Sequence, residues 1–379
     1  MKLMAPGPAE TWPDDLPEMA RPTLPHYGTE FLRVWHDVRD FLQTIFGTSA
    51  DILMLAGAGT AGTEMALCGF AGKTCIVVRA GAFSDRLAEI LQSHRAGVVD
   101  IEVPERQAVS PGAVEAALAE HPEAAAVCMV HSETSTGILH PVADVASVVR
   151  NSDALFVVDA VSSVGSLDFQ MDQWGIDICW TASQKALGCP PGLAMVAVNE
   201  RASDFLSNNS TNISGFYLNP VVWKWHQDNW QWHPYPTSLP TPVFVAMRKA
   251  LNRLVSNGLD KHYGGYDKAA TAIRRGCLAV GFDLYPQTES IASPTVTVLI
   301  PPKGLDEEAF RNSILTDHDV MIAGGFGELR GRVVRIGHMG PGISDDYVRA
   351  TLAAVEASAR KHGVDVKPGS AVAAAGLAE

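Results

Sequence analysis

The chain has 379 residues, 47% of them hydrophobic and 19% charged, with a net charge of −13. That length exceeds what one hydrophobic core usually supports, so two domains are expected, and the composition excludes a disordered chain. The negative balance, with 29 Lys and Arg scattered along the chain, excludes a general nucleic-acid surface, which needs clustered cations.

No uncharged stretch approaches the ~20 apolar residues that span a bilayer, so no membrane partner is expected. The opening segment MKLMAPGPAETWPDDLP puts prolines and acids where a secretory leader needs an apolar core. Six cysteines form no CxxC pair and no zinc-like spacing, and several lie in apolar runs where a free thiol behaves as a small hydrophobe. A cytoplasmic protein is expected.

Residues 1–25 are Pro-rich and read as an extended arm. From Tyr27 to Gly47, Phe31, Val34, Trp35, Val38, Phe41 and Leu42 recur at helical spacing. Strand and helix patterns then alternate. Asp51–Leu55 reads as a strand, followed by a Gly-rich turn and a helix over Thr63–Phe70. Thr74–Val78 is a strand with a helix from Ser84 to Ala96, and Val99–Val103 leads to a helix near Pro111–Glu120. Ala124–Val130, Ala154–Val158, Ile176–Trp180 and Gly192–Val198 are further apolar strands, with a helix over Ala143–Asn151. Such alternation predicts an α/β fold with a largely parallel sheet covered on both faces.

Residues 203–241 break the rhythm with Trp223, Trp225, Trp230 and Trp232 and read as an ordered excursion. A helix from Pro242 to Ser256 continues in pieces to Val280. Strands Thr295–Ile300 and Val333–Ile336, with helices Asp306–Leu315 and Asp345–Lys361, predict a smaller α+β domain. The organisation expected is an arm (1–25), a large domain (26–255), a small domain (256–365) and a frayed Ala/Gly-rich tail (366–379).

The chemistry is concentrated at strand ends. Asp159 closes the run Leu155–Val158, where a carboxylate points into the crevice in which α/β sheets bind ligands; alone, a helix N-cap reads equally well. Lys185 follows a second apolar run, and a desolvated lysine favours the neutral amine that Schiff-base chemistry needs; alone, it would be an ordinary surface lysine. Together they are what pyridoxal phosphate requires, one residue to hold the aldehyde and one to keep the ring nitrogen protonated.

The loop Gly57–Thr63 joins a strand to a helix with small residues that let backbone N–H groups approach a phosphate, although a plain tight turn fits as well. Phe83 opens the next helix and can stack on a ring or pack in the core. HSETSTG (131–137) offers hydroxyls after another strand; His131 and Glu133 invite a metal, but no second ligand pair stands at the right spacing. Arg335, inside an apolar strand, needs an anion: a substrate carboxylate or a structural ion pair.

In this order, HSETSTG, VVDAVSSVG, SQK and RIGHMG resemble the class V, fold type I, pyridoxal phosphate aminotransferases, over most of the chain from Pro6-Gly7-Pro8 onward. The group most resembled is that of the alanine–glyoxylate, serine–glyoxylate, 2-aminoethylphosphonate–pyruvate and pyridoxamine–pyruvate enzymes. The resemblance implies a large domain with a mostly parallel sheet, a smaller C-terminal domain and a homodimer with shared active sites. It implies an amino donor and a 2-oxo acid acceptor, glyoxylate or pyruvate. It assigns the Schiff base to Lys185, the ring nitrogen to Asp159, ring stacking to Phe83, and the phosphate to Gly59, Thr60, Ala61 and Gln184. Tyr235 and Ser238 would reach the phosphate from the neighbouring subunit. Arg335, Thr134 and Gly7 would bind substrate. Two positions depart from the pattern: Ala58 stands where serine is frequent, and Phe83 where tryptophan or tyrosine is. SIASPT (290–295) and RIGHMGP resemble the pyridoxamine–pyruvate enzyme, whose phosphate loop is acidic; here no acid precedes Glu64, so a phosphate is expected to be accepted. A lyase acting on an amino acid or aminophosphonate is the alternative, since fold does not set the reaction.

Overall fold

The computed structural model describes residues 1–377. Its large sheet has seven strands: β1 (Asp51–Ala56), β2 (Thr74–Arg79), β3 (Gly97–Glu102), β4 (Ala126–Val130), β5 (Leu155–Asp159), β6 (Ile178–Ala182) and β7 (Leu193–Val198). They lie in the order β1-β7-β6-β5-β4-β2-β3. β7 runs antiparallel to both neighbours, and every other pairing is parallel. The antiparallel strand has a simple cause. Only residues 183–192 join β6 to β7, too short a connection for the crossover that parallel neighbours need.

Every residue of β4, β5 and β6 is buried, as in a sheet covered on both faces. Their register places Val130 opposite Asp159, and Asp159 opposite Trp180. The segments after these three strands therefore emerge side by side, which brings 131–137, 159–163 and 183–185 together. Helix Thr29–Phe46 lays Phe31, Val34, Trp35, Val38, Leu42, Ile45 and Phe46 into the large core and stops at Gly47, whose φ of 60° suits glycine. The helix after β1 begins at Gly59, not Thr63, so the Gly-rich loop is itself the first helical turn. The excursion over 203–241 holds a helix, Pro220–Asn229, started by the Asn219 side chain, with Trp223 buried beneath it.

A second core is built on helix Leu259–Ala279, helix Asp345–Lys361 and an antiparallel sheet of Asp283–Leu284, Val296–Ile300, Val334–Gly337 and Ala323–Gly324. One expectation needs correction here. The segment from 366, expected to fray, carries helix Ser370–Ala374 with Ala371 fully buried; the Glu356 carboxylate caps it by accepting the N–H groups of Gly369 (2.7 Å) and Ala371 (2.8 Å). Positions 378 and 379 of that expected tail lie outside the described residues.

The N-terminal arm is pinned at both ends. Lys2–Leu3 pairs in parallel with Val320–Met321, and Met4 is buried in the second core. Farther along, Ala9 N–H donates to Gln184 O (2.7 Å), and buried Asp15 pairs with Arg253 (2.6 Å). Residues 5–8 are stretched between the two cores. Among the described residues, no helix is long and apolar enough to cross a membrane, and all six cysteines are buried and unpaired.

Candidate active site

At the carboxyl ends of β4, β5 and β6 lies a cavity of about 260 Å³. Gly7, Gly59, Thr60, Phe83, Thr134, Asp159, Gln184 and Lys185, all selected from the sequence, line it. Burial and neighbouring charge set its electrostatics. Lys185 is held down to about 8, first by burial and then by the charge of Arg335, with Asp159 opposing. The Asp159 carboxyl is pushed up to about 7, chiefly by burial, against a hydrogen bond from Val161 N–H to Oδ1 at 2.9 Å. Near neutral pH the lysine is therefore poised to lose a proton, and the carboxyl to lose one if a cation sits beside it.

Lys185 Nζ donates to Pro6 O at 2.6 Å, so the arm reaches directly over the lysine. A Cβ on Gly7 would stand 2.0 Å from Nζ, and the φ of +140° there already disfavours any side chain. Gly7→Ala should therefore displace the amine and lower kcat by about a hundredfold, since errors of 1 Å at a reacting group cost about that much. The strained φ should lower the thermal midpoint as well, by the roughly 1–3 kcal/mol such backbone strain costs, so steady-state kinetics run below the midpoint found by a melting curve isolates the catalytic loss.

The helix Gly59–Leu67 points its N-terminus at the cavity. The Ala58 N-cap makes no side-chain bond, and Ala61 N–H closes the turn on Ala58 O (2.9 Å). Ala61 does not line the cavity, so the helix end offers an anion chiefly the N–H groups of Gly59 and Thr60. Glu64, one turn on, lies 3.4 Å from His94 and also stays outside the cavity.

Thr134 Oγ1 and Ser162 Oγ are 2.6 Å apart. Next to them Glu133, fully buried, accepts the N–H groups of Phe83 (3.3 Å), Ser84 (3.0 Å) and Ser135 (3.1 Å). Its carboxylate thus caps helix Ala82–Ser93 and fixes where Phe83 stands. His131 is buried and pushed down to about 3 by burial, next to Phe169 and Trp174; it is structural. No group of three metal-ligating side chains occurs among the described residues.

Arg335 is buried but lines no wall of this cavity. It donates from Nε to Gly324 O (2.6 Å) and from an Nη to Thr134 O (3.2 Å). Burial lowers its pKa to about 10, and no carboxylate pairs with it among the described residues, so the structural ion pair weighed from sequence is not formed. An arginine with neutral partners beside a cavity retains capacity for an anion.

Tyr235 and Ser238 are absent from the cavity. Tyr235 is buried in its own chain and donates its hydroxyl to His26 O. Ser238 is exposed. Trp225, Trp230 and Trp232 are exposed too and form an aromatic cluster outside the cavity. Sequence reasoning missed Arg86 and Ser162 in the cavity wall, which Ser132 of HSETSTG also lines. Arg86, with its guanidinium 5.1 Å from the Phe83 ring centroid, was findable as the residue one turn beyond a cavity aromatic.

The site thus brings a partly buried amine and a buried carboxyl together at strand ends, under a helix N-terminus on a mostly parallel sheet. The family model described as "Aminotransferase class-V" matches residues 18–294. The chain belongs to the class-V aminotransferase family, and it is an aminotransferase of fold type I. It is 33% identical to an uncharacterised aminotransferase of Methanocaldococcus jannaschii, over 96% of this chain and 94% of that one. With the pyridoxamine–pyruvate transaminase of Mesorhizobium japonicum the identity is 30%, over 97% and 94%. The solved structure of ureidoglycine–glyoxylate aminotransferase from Bacillus subtilis superposes with a TM-score of 0.93 at 28% identity, covering 99% of this chain and 96% of that one.

Proposed function

We propose that this aminotransferase uses pyridoxal 5′-phosphate to move an amino group from a small donor to glyoxylate or pyruvate, as a homodimer in the cytoplasm. The observation that carries the reading is the meeting of Lys185, Asp159 and the Gly59–Leu67 helix N-terminus in one cavity. The residues present suit that cofactor: an amine for its aldehyde, a buried carboxyl whose ionisation needs a neighbouring cation, an aromatic wall at Phe83, and a helix end free of acids for its phosphate. When bound, the cofactor supplies an electron sink that stabilises negative charge at the substrate Cα.

The chain's own residues do the rest. Lys185, with its pKa lowered to about 8, acts as nucleophile and then carries the proton to and from Cα. Asp159 would hold the ring nitrogen in its protonated form. Gly59, Thr60 and Gln184 would hold the phosphate, and Thr134 with Ser162 would offer hydroxyls to the cofactor or substrate. Ser238 would complete the phosphate site of a second copy, with the exposed tryptophans seated at the same contact.

Arg335 takes the α-carboxylate of donor and acceptor alike. Relatives named for pyruvate, for glyoxylate and, in Paracoccus denitrificans, for L-aspartate and glyoxylate support small 2-oxo acids as acceptors. The test is Arg335→Gln. Losing a charge-assisted pair of about 2–3 kcal/mol should raise KM for glyoxylate or pyruvate by about 30–150-fold. An unchanged KM for both acids would remove the carboxylate role.

A further inference from the structure

A second crevice of about 370 Å³ is lined by residues next in the chain to those of the first cavity, although no residue lines both. Phe83 faces the first while Gly81 and Ala82 face the second; Thr134 faces the first while Ser135 and Thr136 face the second. Phe326, in the segment between strands Ala323–Gly324 and Val334–Gly337, lines the second crevice. Its ring lies 4.2 Å from the Arg335 guanidinium carbon and 6.1 Å, edge to face, from the ring of Phe83. One side chain thus touches both the arginine assigned to the carboxylate and the wall assigned to the cofactor ring. It is 48% exposed, so the small-domain core does not require it.

We infer that Phe326 is the residue that limits substrate size: packed on Arg335 and against the edge of Phe83, it fills the mouth of the second crevice next to the carboxylate site. The inference rests on the carboxylate role of Arg335 and deepens it. With the carboxylate on the arginine, a substituent longer than the methyl of pyruvate meets the Phe326 ring instead of entering the crevice. The ring 4.2 Å from the guanidinium carbon restricts how the fork can turn and so helps keep it in one orientation for the carboxylate.

Selectivity of the cofactor-loaded enzyme for pyruvate, 2-oxobutyrate and phenylpyruvate reads this directly. Phe326→Ala should raise the ratio of kcat/KM for phenylpyruvate over pyruvate by about tenfold or more, the scale on which a few methylenes of space discriminate. Phe326→Trp should shift the ratio the other way. In the cofactor-free protein, phenylglyoxal should modify Arg335 faster in Phe326→Ala than in the parent, as followed by peptide mass mapping. Should the alanine variant fail to fold, Phe326→Leu and the tryptophan variant carry the same comparison. Unchanged selectivity across the folded variants overturns the inference. Arg335→Gln separates the two levels: an unaltered KM there sinks the carboxylate site itself, whereas a raised KM with indifferent Phe326 variants sinks the size limit alone.

Discussion

Lys185→Ala is expected to lower turnover by about four orders of magnitude, because one amine serves as nucleophile and as proton carrier, and proton transfer alone is worth about 10²–10⁴-fold. The fold should survive. Lys185 is only partly buried, and its hydrogen bond, to Pro6 O, is made at the end of a flexible side chain. The variant should therefore melt near the parent's midpoint while losing its covalent hold on the cofactor aldehyde. Added methylamine, small enough to enter the vacated space, should restore part of the rate, and Lys185→Arg should not, since guanidinium does not deprotonate near neutral pH. A Lys185→Ala protein with undiminished turnover would exclude the nucleophile assignment.

Asp159→Asn should lose about 10²–10³ in kcat, the scale for removing one preorganised electrostatic partner from a buried centre. The same substitution should stabilise the cofactor-free protein at neutral pH. In the folded chain the carboxyl titrates at about 7 against an ordinary 3.8. The native state therefore binds this proton more tightly than the unfolded state does. Its contribution is most favourable below about pH 4 and is lost as pH rises to about 7, by about 4 kcal/mol at most at 1.36 kcal/mol per unit. Asparagine keeps an acceptor for Val161 N–H and carries no charge, so the variant's stability should be flatter across that window. Denaturant melts of both cofactor-free proteins from pH 4 to pH 8 decide it. A wild-type protein that grows more stable across the window, relative to Asp159→Asn, would mean the carboxylate is already paired within the chain.

Much of the centre was legible because it sits at strand ends. The run Leu155–Val158 leads without a break into Asp159, strand Ile178–Ala182 ends three residues before Lys185, and a parallel sheet aligns the segments that follow such strands. What was not legible depends on long-range packing. Periodicity cannot tell whether Gly59 belongs to a turn or to a helix, since glycine permits both. Glu133, read in sequence only as a weak metal candidate, caps the helix of Phe83 from 49 residues away. The tail after 366 has the composition of a flexible end, yet Ala371 packs against a complementary surface and Glu356 caps its helix. The arm's proximity to Lys185 follows from Met4 lying in one core and Asp15 against the other, a pairing no local pattern announces.

The measurement that bears most directly on the whole account is borohydride reduction of the protein reconstituted with pyridoxal 5′-phosphate, followed by peptide mass mapping. A stable pyridoxyl adduct confined to the peptide containing Lys185, with irreversible loss of activity, is the predicted result. A fully active protein carrying no adduct, or one labelled on another lysine while Lys185 stays unmodified, would contradict it.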